Sequence, residues 1–341
     1  MNFKKQKIKI PNWGILVIIL SLSISCSNSE SEKFRVLLDS DANNELDDQH
    51  AIAYLLFNGH YFDVEGITVN RTINGGDVDQ HLKEAERVVK LCDLDNTIDI
   101  YKGANGTFEE IREHINEANF DGMDAVNFII ERAHAKSSRK LVLLPVGKLT
   151  NIALALLKDP SIAPKVRIVW LGSNYPEPGE YNQENDISAL QYVLDFVVDF
   201  EIVTVRYDKP SGTAAVQALL SEIEEIMPGK GLEISEPVTG RHGSEFTNFG
   251  DYSISLFRNI EDYDGDPPSR ALYDMAAVAI VKNSSWANPI KIPSPQYMNS
   301  AWIERPDNSH EITIWENFNK EEIMADFYHT MENYVLVSPI K

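Results

Sequence analysis

From Phe34 onward the chain alternates two kinds of hydrophobic pattern. Short unbroken apolar runs, such as Val36-Leu37-Leu38 ahead of Asp39, give way to longer stretches in which apolar residues recur every three or four positions. The first pattern marks a strand buried on both faces, the second an amphipathic helix. Strands are therefore predicted over 34–39, 64–69, 98–101, 140–145, 166–171 and 201–205, and helices over 46–57, 78–91, 122–135, 149–157, 187–197 and 213–227. This alternation predicts an α/β fold, a mostly parallel open sheet with helices on both faces. Ligands of such sheets bind beyond the carboxyl ends of the strands. Between Gly229 and Arg270 the periodicity fails in a stretch rich in Gly, Pro, Asp and aromatics (Phe246, Phe249, Tyr252, Phe257, Tyr263). A long irregular stretch of this kind is expected to serve function. Helices resume over 270–282 and 321–334. With no internal repeat and no clean linker, one domain over 34–341 is expected.

The first 33 residues read differently. Lys4, Lys5, Lys7 and Lys9 precede a short apolar run from Trp13 to Leu20, and small residues lead on to Cys26. That is the layout of a secretory signal, too short for a comfortable membrane span. A cysteine at the cleavage point predicts lipidation of Cys26, with residues 1–25 removed as signal peptide and 26–33 left as a polar tether. Export to the periplasm or cell surface follows, with membrane attachment through the lipid alone. An acylated Cys26 leaves Cys92 without a partner, so no disulfide framework is expected.

Charge narrows the function. The chain carries −21, and removing residues 1–25 takes away four lysines and no acid, leaving −25. Such a surface repels nucleic acid and anionic lipid heads and disfavours polyanionic substrates. A neutral small molecule fits better, with further copies of the chain as the other partner left open.

The densest chemistry follows the first strand, in Asp39-Ser-Asp41-Ala-Asn43-Asn44-Glu45-Leu-Asp47-Asp48. Four aspartates so close repel one another unless a cation or hydrogen-bond donors neutralise them. Their hard oxygens favour calcium or magnesium over zinc. An EF-hand loop fails at its turn position, where Asn44 stands, and at its last position, where His50 stands. An aspartyl phosphatase would need a downstream lysine context that is not evident. Helix capping accounts for Asp47 or Glu45 but not for Asp39 and Asp41.

At this point the sequence resembles the inosine–uridine-preferring nucleoside hydrolase family. That family opens with Asp-Thr-Asp-Pro-Gly-x-Asp-Asp after its first strand, similar to Asp39-Ser-Asp41 and Asp47-Asp48 with two extra residues between the pairs. Pro145-Val146-Gly147-Lys148-Leu149-Thr150-Asn151 resembles its Gly-x-Leu-Thr-Asn turn. Leu171-Gly172-Ser173, Glu180-Tyr181-Asn182 and Asp186 resemble its Met-Gly-Gly, Glu-Phe-Asn and Asp-Pro-Glu-Ala signature. Leu272-Tyr273-Asp274-Met-Ala-Ala-Val-Ala resembles its His-Asp-Pro-Leu-Ala-Val-Ala helix.

The resemblance implies a calcium-dependent hydrolase that cleaves ribonucleosides to ribose and free base on a nucleoside hydrolase-like fold. It implies Ca2+ held by Asp41, Asp48, Asp274 and the backbone carbonyl of Val146, with Asp41 also the general base. Asp47, Glu180 and Asn182 would bind the ribose hydroxyls, joined by Asn174, and Asp39 would support the site from behind. Either Asn70 or Asn74 would match the family's asparagine after the second strand. This residue set suits an oxocarbenium-like transition state, in which carboxylates stabilise the positive sugar and remove a proton from water. The main departure is Tyr273, where the family has a histidine associated with the leaving group. Tyrosine hydrogen-bonds or stacks but is a weak acid at neutral pH. His242 is a candidate substitute, with a solvent-exposed loop histidine as the plainer reading. Hydrolysis of another glycoside, or binding of a sugar or nucleoside without catalysis, remains open from the residues alone.

Overall fold

Why the strands form is clearest at the centre of the sheet, where apolar residues alternate between two cores. In a computed structural model, which describes Met1 and residues 32–338, the elements run β1 (Phe34–Ser40), α1 (Asp47–Leu56), β2 (Phe62–Val69), α2 (Val78–Leu91), β3 (Ile100–Lys102), α3 (Met123–His134), β4 (Leu141–Pro145), α4 (Thr150–Lys158), β5 (Val166–Leu171), α5 (Ile187–Asp195), β6 (Phe200–Val203), α6 (Phe249–Arg258), α7 (Tyr273–Lys282), β7 (Asn288–Pro293), β8 (Glu311–Glu316) and α8 (Lys320–Glu332). These strands form an eight-stranded sheet in the order β7-β8-β6-β5-β4-β1-β2-β3. All neighbours are parallel except the edge pair β7 and β8.

Val36, Leu38, Val142, Leu144, Val169 and Leu171 face one core, shared with α1, α2, α7 and α8. Leu37, Leu141, Leu143, Ile168 and Trp170 face the other, shared with α3, α4 and α5. Successive side chains of a strand point to opposite faces, so an unbroken apolar run satisfies both. The predicted signal segment and Cys26 lie outside the described residues. Among the described residues, no helix is long and apolar enough to cross a membrane, and Cys92 is a buried free thiol.

Three sequence expectations need correction. The helix predicted over 213–227 is a 3-10 turn at Thr213–Ala215, a short strand at Gln217–Leu219 and a helix limited to Leu220–Ile226. Gln217–Leu219 pairs antiparallel with Ser269–Ala271, so the helix predicted from 270 begins only at Tyr273. The stretch from Gly229 to Arg270 contains α6, started by Asn248, whose side chain accepts from the Asp251 N–H. Its Phe249, Tyr252, Leu256 and Phe257 are buried in the core, so these aromatics pack the fold instead of serving a loop. Strands β7 and β8 also went unpredicted. Pro289 and Pro293 disguise β7, which tolerates them because it is an edge strand.

Two helices set the geometry that matters most. All ten residues of α1 are buried, and α1 packs along α7. The N-terminal turns of both helices carry acidic residues, Asp47 and Asp48 on one and Asp274 on the other.

Candidate active site

Beyond the carboxyl ends of β1, β4, β5 and β6 lies a cavity of about 670 Å³. Asp41, Asp47, Asp48, Val146, Glu180, Asn182, Tyr273 and Asp274 all line it. Two predicted site residues do not. Asp39 is wholly buried behind the cavity, and Asn174 lines a neighbouring depression with Arg206 and Ser211. The Asn174 side chain is engaged elsewhere, accepting from the Tyr207 N–H of the segment after β6 at 3.1 Å and donating to the Pro178 carbonyl of its own loop at 3.4 Å.

Asp39 is the last inward-facing carboxylate of β1. It accepts from Thr68 Oγ1 at 2.6 Å, Asn151 Nδ2 at 2.7 Å and Asn70 Nδ2 at 3.0 Å. Burial pushes its pKa up to about 6, against the pull of those three donors. Asn70 is thus a support of Asp39. Asn74 is exposed, and its backbone N–H donates to Tyr181 Oη at 3.0 Å. Neither asparagine lines the cavity. The residue of this segment that reaches Asp41 is Thr72, whose hydroxyl donates to Oδ2.

Asp41 needs a close neighbour without a side chain. A Cβ on Gly147 would stand 2.8 Å from Asp41 Oδ1 and 3.0 Å from the Asn70 amide atoms, so glycine is required for this approach. Burial pushes the Asp41 pKa up to about 7, with Thr72 pulling back and the Asp39 and Glu45 charges pushing further.

Asp47, Asp48 and Asp274 are buried and can each offer a carboxylate oxygen such that the three lie within 4.8 Å of one another. The resemblance placed Asp41 in such a set and Asp47 on the sugar; here Asp47 is the third member of the cluster. Ser40 Oγ donates to Asp48 Oδ1 at 2.6 Å. Among the described residues, no basic side chain hydrogen-bonds to any of the three or to Asp41. Burial first, then Glu45, raises the Asp47 pKa to about 8, while the Arg270 charge opposes the rise. Burial and the neighbouring aspartates push Asp48 and Asp274 well above the usual carboxylate range. Two helix N-termini favour negative charge at this spot. They do not neutralise several buried carboxylates at one spot, and a divalent cation would.

Glu180 caps the short helix Tyr181–Asn185, accepting from the N–H groups of Ser173 (2.8 Å), Gln183 (2.8 Å) and Asn182 (3.0 Å). Burial raises its pKa to about 7. Asn182 donates through Nδ2 to the Val146 carbonyl at 2.8 Å and the Leu171 carbonyl at 3.2 Å. Its Oδ1 is buried with no hydrogen-bond partner among the described residues. An orphaned acceptor on a cavity wall suits a ligand hydroxyl donor.

Tyr273 stands with its ring edge-on to Tyr207, centroids 6.1 Å apart. Burial raises its pKa, so it is a neutral hydrogen-bonding phenol at physiological pH. His242 is exposed and lines a separate cavity of about 270 Å³, not the central one. Sequence reasoning missed Arg270 and the role of Glu45. Glu45 lies in the segment lengthened between the two aspartate pairs, and its carboxylate is paired with the Arg270 guanidinium. Arg241 donates to the backbone carbonyls of Glu45 (2.8 Å) and Asn43 (3.0 Å), so two arginines clamp the lengthened loop. Nothing in local sequence pairs residues 225 positions apart.

Comparison with known proteins identifies the family and the fold. The family model described as inosine-uridine preferring nucleoside hydrolase matches residues 36–325. The pyrimidine-specific ribonucleoside hydrolase RihB of Escherichia coli (strain SE11) is 28% identical over 243 residues, spanning 64% of this chain and 74% of that protein. The fold is similar to the purine-preferring ribonucleoside hydrolase from Gardnerella vaginalis, with TM-score 0.68, 18% identity and coverage of 87% of this chain and 98% of that one. It is similar also to the inosine-uridine preferring nucleoside hydrolase from Bacillus anthracis, with TM-score 0.61, 15% identity and coverage of 88% and 99%.

Proposed function

Because the chain belongs to the inosine-uridine preferring nucleoside hydrolase family and is an N-glycosyl hydrolase, we propose that it cleaves ribonucleosides to ribose and free base in the acidic cavity, with Ca2+ as its cofactor. The observation that carries this reading is the gathering of Asp47, Asp48 and Asp274 at two packed helix N-termini, with no basic side chain hydrogen-bonded to them among the described residues. An all-oxygen donor set of this kind fits a hard divalent cation. Asp48, Asp274, Asp41 and the Val146 carbonyl would hold it, with Asp47 between the cation and the sugar. When bound, the cation would acidify water and offset the charge of the cluster.

The chain's own residues carry the remaining steps. Thr72 fixes Asp41 Oδ2, leaving Oδ1 to take the proton from the attacking water. The oxygen of that water bonds to the anomeric carbon of ribose, and the electron pair of the C–N bond departs with the base. Asp47 and Glu180 face the positive charge that develops on the sugar. Asp47, Glu180 and the unpartnered Asn182 Oδ1 would orient the ribose hydroxyls. Asp39, held by Thr68, Asn70 and Asn151, would keep the end of β1 in register behind Asp41.

The test is ribose release from a nucleoside panel by the purified protein, with and without chelator. Activity should vanish on chelation and return with Ca2+, and Asp41→Ala should abolish it. Full activity after exhaustive chelation, or in Asp41→Ala, would sink the mechanism. Export and lipid attachment at Cys26 are proposed on the sequence pattern alone.

A further inference from the structure

Among the described residues, no histidine lines the cavity to act as an acid on the departing base. Tyr273 is neutral and weakly acidic, His242 faces another cavity, and Lys209 lines the rim of this one but is exposed, with no hydrogen-bond partner for its ammonium among the described residues. Arg270 differs from all three. It lines the cavity beside Tyr273 and Asp47, and its side chain is only 16% exposed. Its charge bears on both neighbours, countering the burial that raises their pKa values.

The guanidinium is also held still. It donates through Nε and a terminal nitrogen to Glu45 Oε2, and through Nη1 to the Asp262 carbonyl at 3.1 Å. Those contacts use three of the five N–H groups an arginine offers, leaving two uncommitted. Glu45, which holds it, sits in the segment two residues longer than the family pattern it resembles. The lengthened loop and the Arg270 guanidinium thus form one unit.

We propose that Arg270 is a catalytic residue that hydrogen-bonds the leaving base and stabilises the negative charge it acquires. The proposal rests on the nucleoside-hydrolase reading above. As the C–N bond breaks, its electron pair passes to the base, and in an oxo base much of that charge resides on the ring carbonyl oxygen. Arg270 donates to that oxygen without losing a proton. Solvent then protonates the free base anion, and the proton of the attacking water stays with Asp41 until release. Preorganised donors aimed at developing charge in a water-poor site are among the largest catalytic effects.

Leaving-group ability separates this role from a structural one. p-Nitrophenyl β-D-ribofuranoside departs as a stable phenolate and needs little help, whereas uridine needs help in full. With full-length protein in detergent, Arg270→Gln should lower kcat/KM for uridine roughly 100-fold and for the p-nitrophenyl riboside less than about 5-fold. Arg270→Lys, keeping the charge without the rigid fork, should fall between. Equal losses on both substrates, or no loss on uridine, would overturn the proposal. If Arg270→Gln does not fold, the ratio of the two losses in Arg270→Lys decides in the same way. Wild-type protein that cleaves neither substrate would refute the underlying reading instead.

Discussion

Asn151 is the residue whose replacement tests most directly how the site is built. It is fully buried at the start of α4 and makes three hydrogen bonds. Its Nδ2 donates to Asp39 Oδ1 at 2.7 Å and to the Val69 carbonyl at 3.1 Å, and its Oδ1 accepts from the Ala104 N–H at 3.0 Å. One amide therefore ties β1, the end of β2 and the segment after β3 together. Asn151→Ala would leave the buried Ala104 N–H without its acceptor and take one donor each from the Asp39 carboxylate, which keeps Thr68 and Asn70, and from the Val69 carbonyl. An unsatisfied buried partner costs about 1–3 kcal/mol, more for a charged one. Allowing for relaxation, a loss of about 4 kcal/mol is expected, a large share of the 5–15 kcal/mol typical of a domain. Urea denaturation followed by far-UV circular dichroism should show a lower midpoint with an unchanged slope. Asn151→Asp is the control. It keeps the shape and the Ala104 bond but sets a second carboxylate against Asp39, so it should destabilise more at pH 8 than at pH 5. A loss below about 1 kcal/mol in Asn151→Ala would refute the claim that this bridge holds the site.

Three further outcomes are expected. Without metal, stability should fall as pH rises from about 5 to 8: the folded state holds protons on Asp39, Asp41 and Asp47 up to pKa values of about 6, 7 and 8, whereas an unfolded carboxyl releases its proton near 4. Urea midpoints across that range in chelator should decline, and saturating Ca2+ should flatten the trend; a rise in chelator would contradict it. Gly147→Ala places a methyl 2.8 Å from Asp41 Oδ1 and should cut kcat at least about 10-fold, with a lower melting temperature from the buried clash, as read by steady-state rates beside thermal melts. Cys26→Ser should abolish incorporation of a labelled fatty acid in the expressing cells, and retained label would dismiss the lipoprotein reading.

The sheet was legible in the sequence because its strands are doubly buried and their apolar runs stand out. Helix α2 and strand β5 fall where the periodicity predicted them. The edge was not legible: β7 carries two prolines and mostly exposed positions, so it lacks an apolar signature. Helix α6 was hidden because its buried face is aromatic and its flanks are rich in glycine and proline, which read locally as loop. At the site, eight of the ten residues expected around the cation and sugar line one cavity, because each directly follows a strand or opens a helix. Asn174 parted from them because its side chain is taken up by the Tyr207 N–H and the Pro178 carbonyl. Arg270, Glu45 and Thr72 could not be foreseen. Their importance lies in contacts between distant segments, which composition and period do not encode.

The packing of α1 against α7 also fixes when the protein can become an enzyme. The carboxylates at the tips of these helices come from positions 47, 48 and 274, so most of the chain must be in place before they can meet. Joining ends so far apart carries a loop-closure cost that only the finished sheet and its helices offset. An incomplete chain, however well its first strands are paired, has half a binding site and holds its acidic loop open. The cavity therefore doubles as a checkpoint on completion. Hydrolysis begins only once the last fifth of the polypeptide has been delivered and docked, and a chain cut short before Tyr273 is silent instead of partly active.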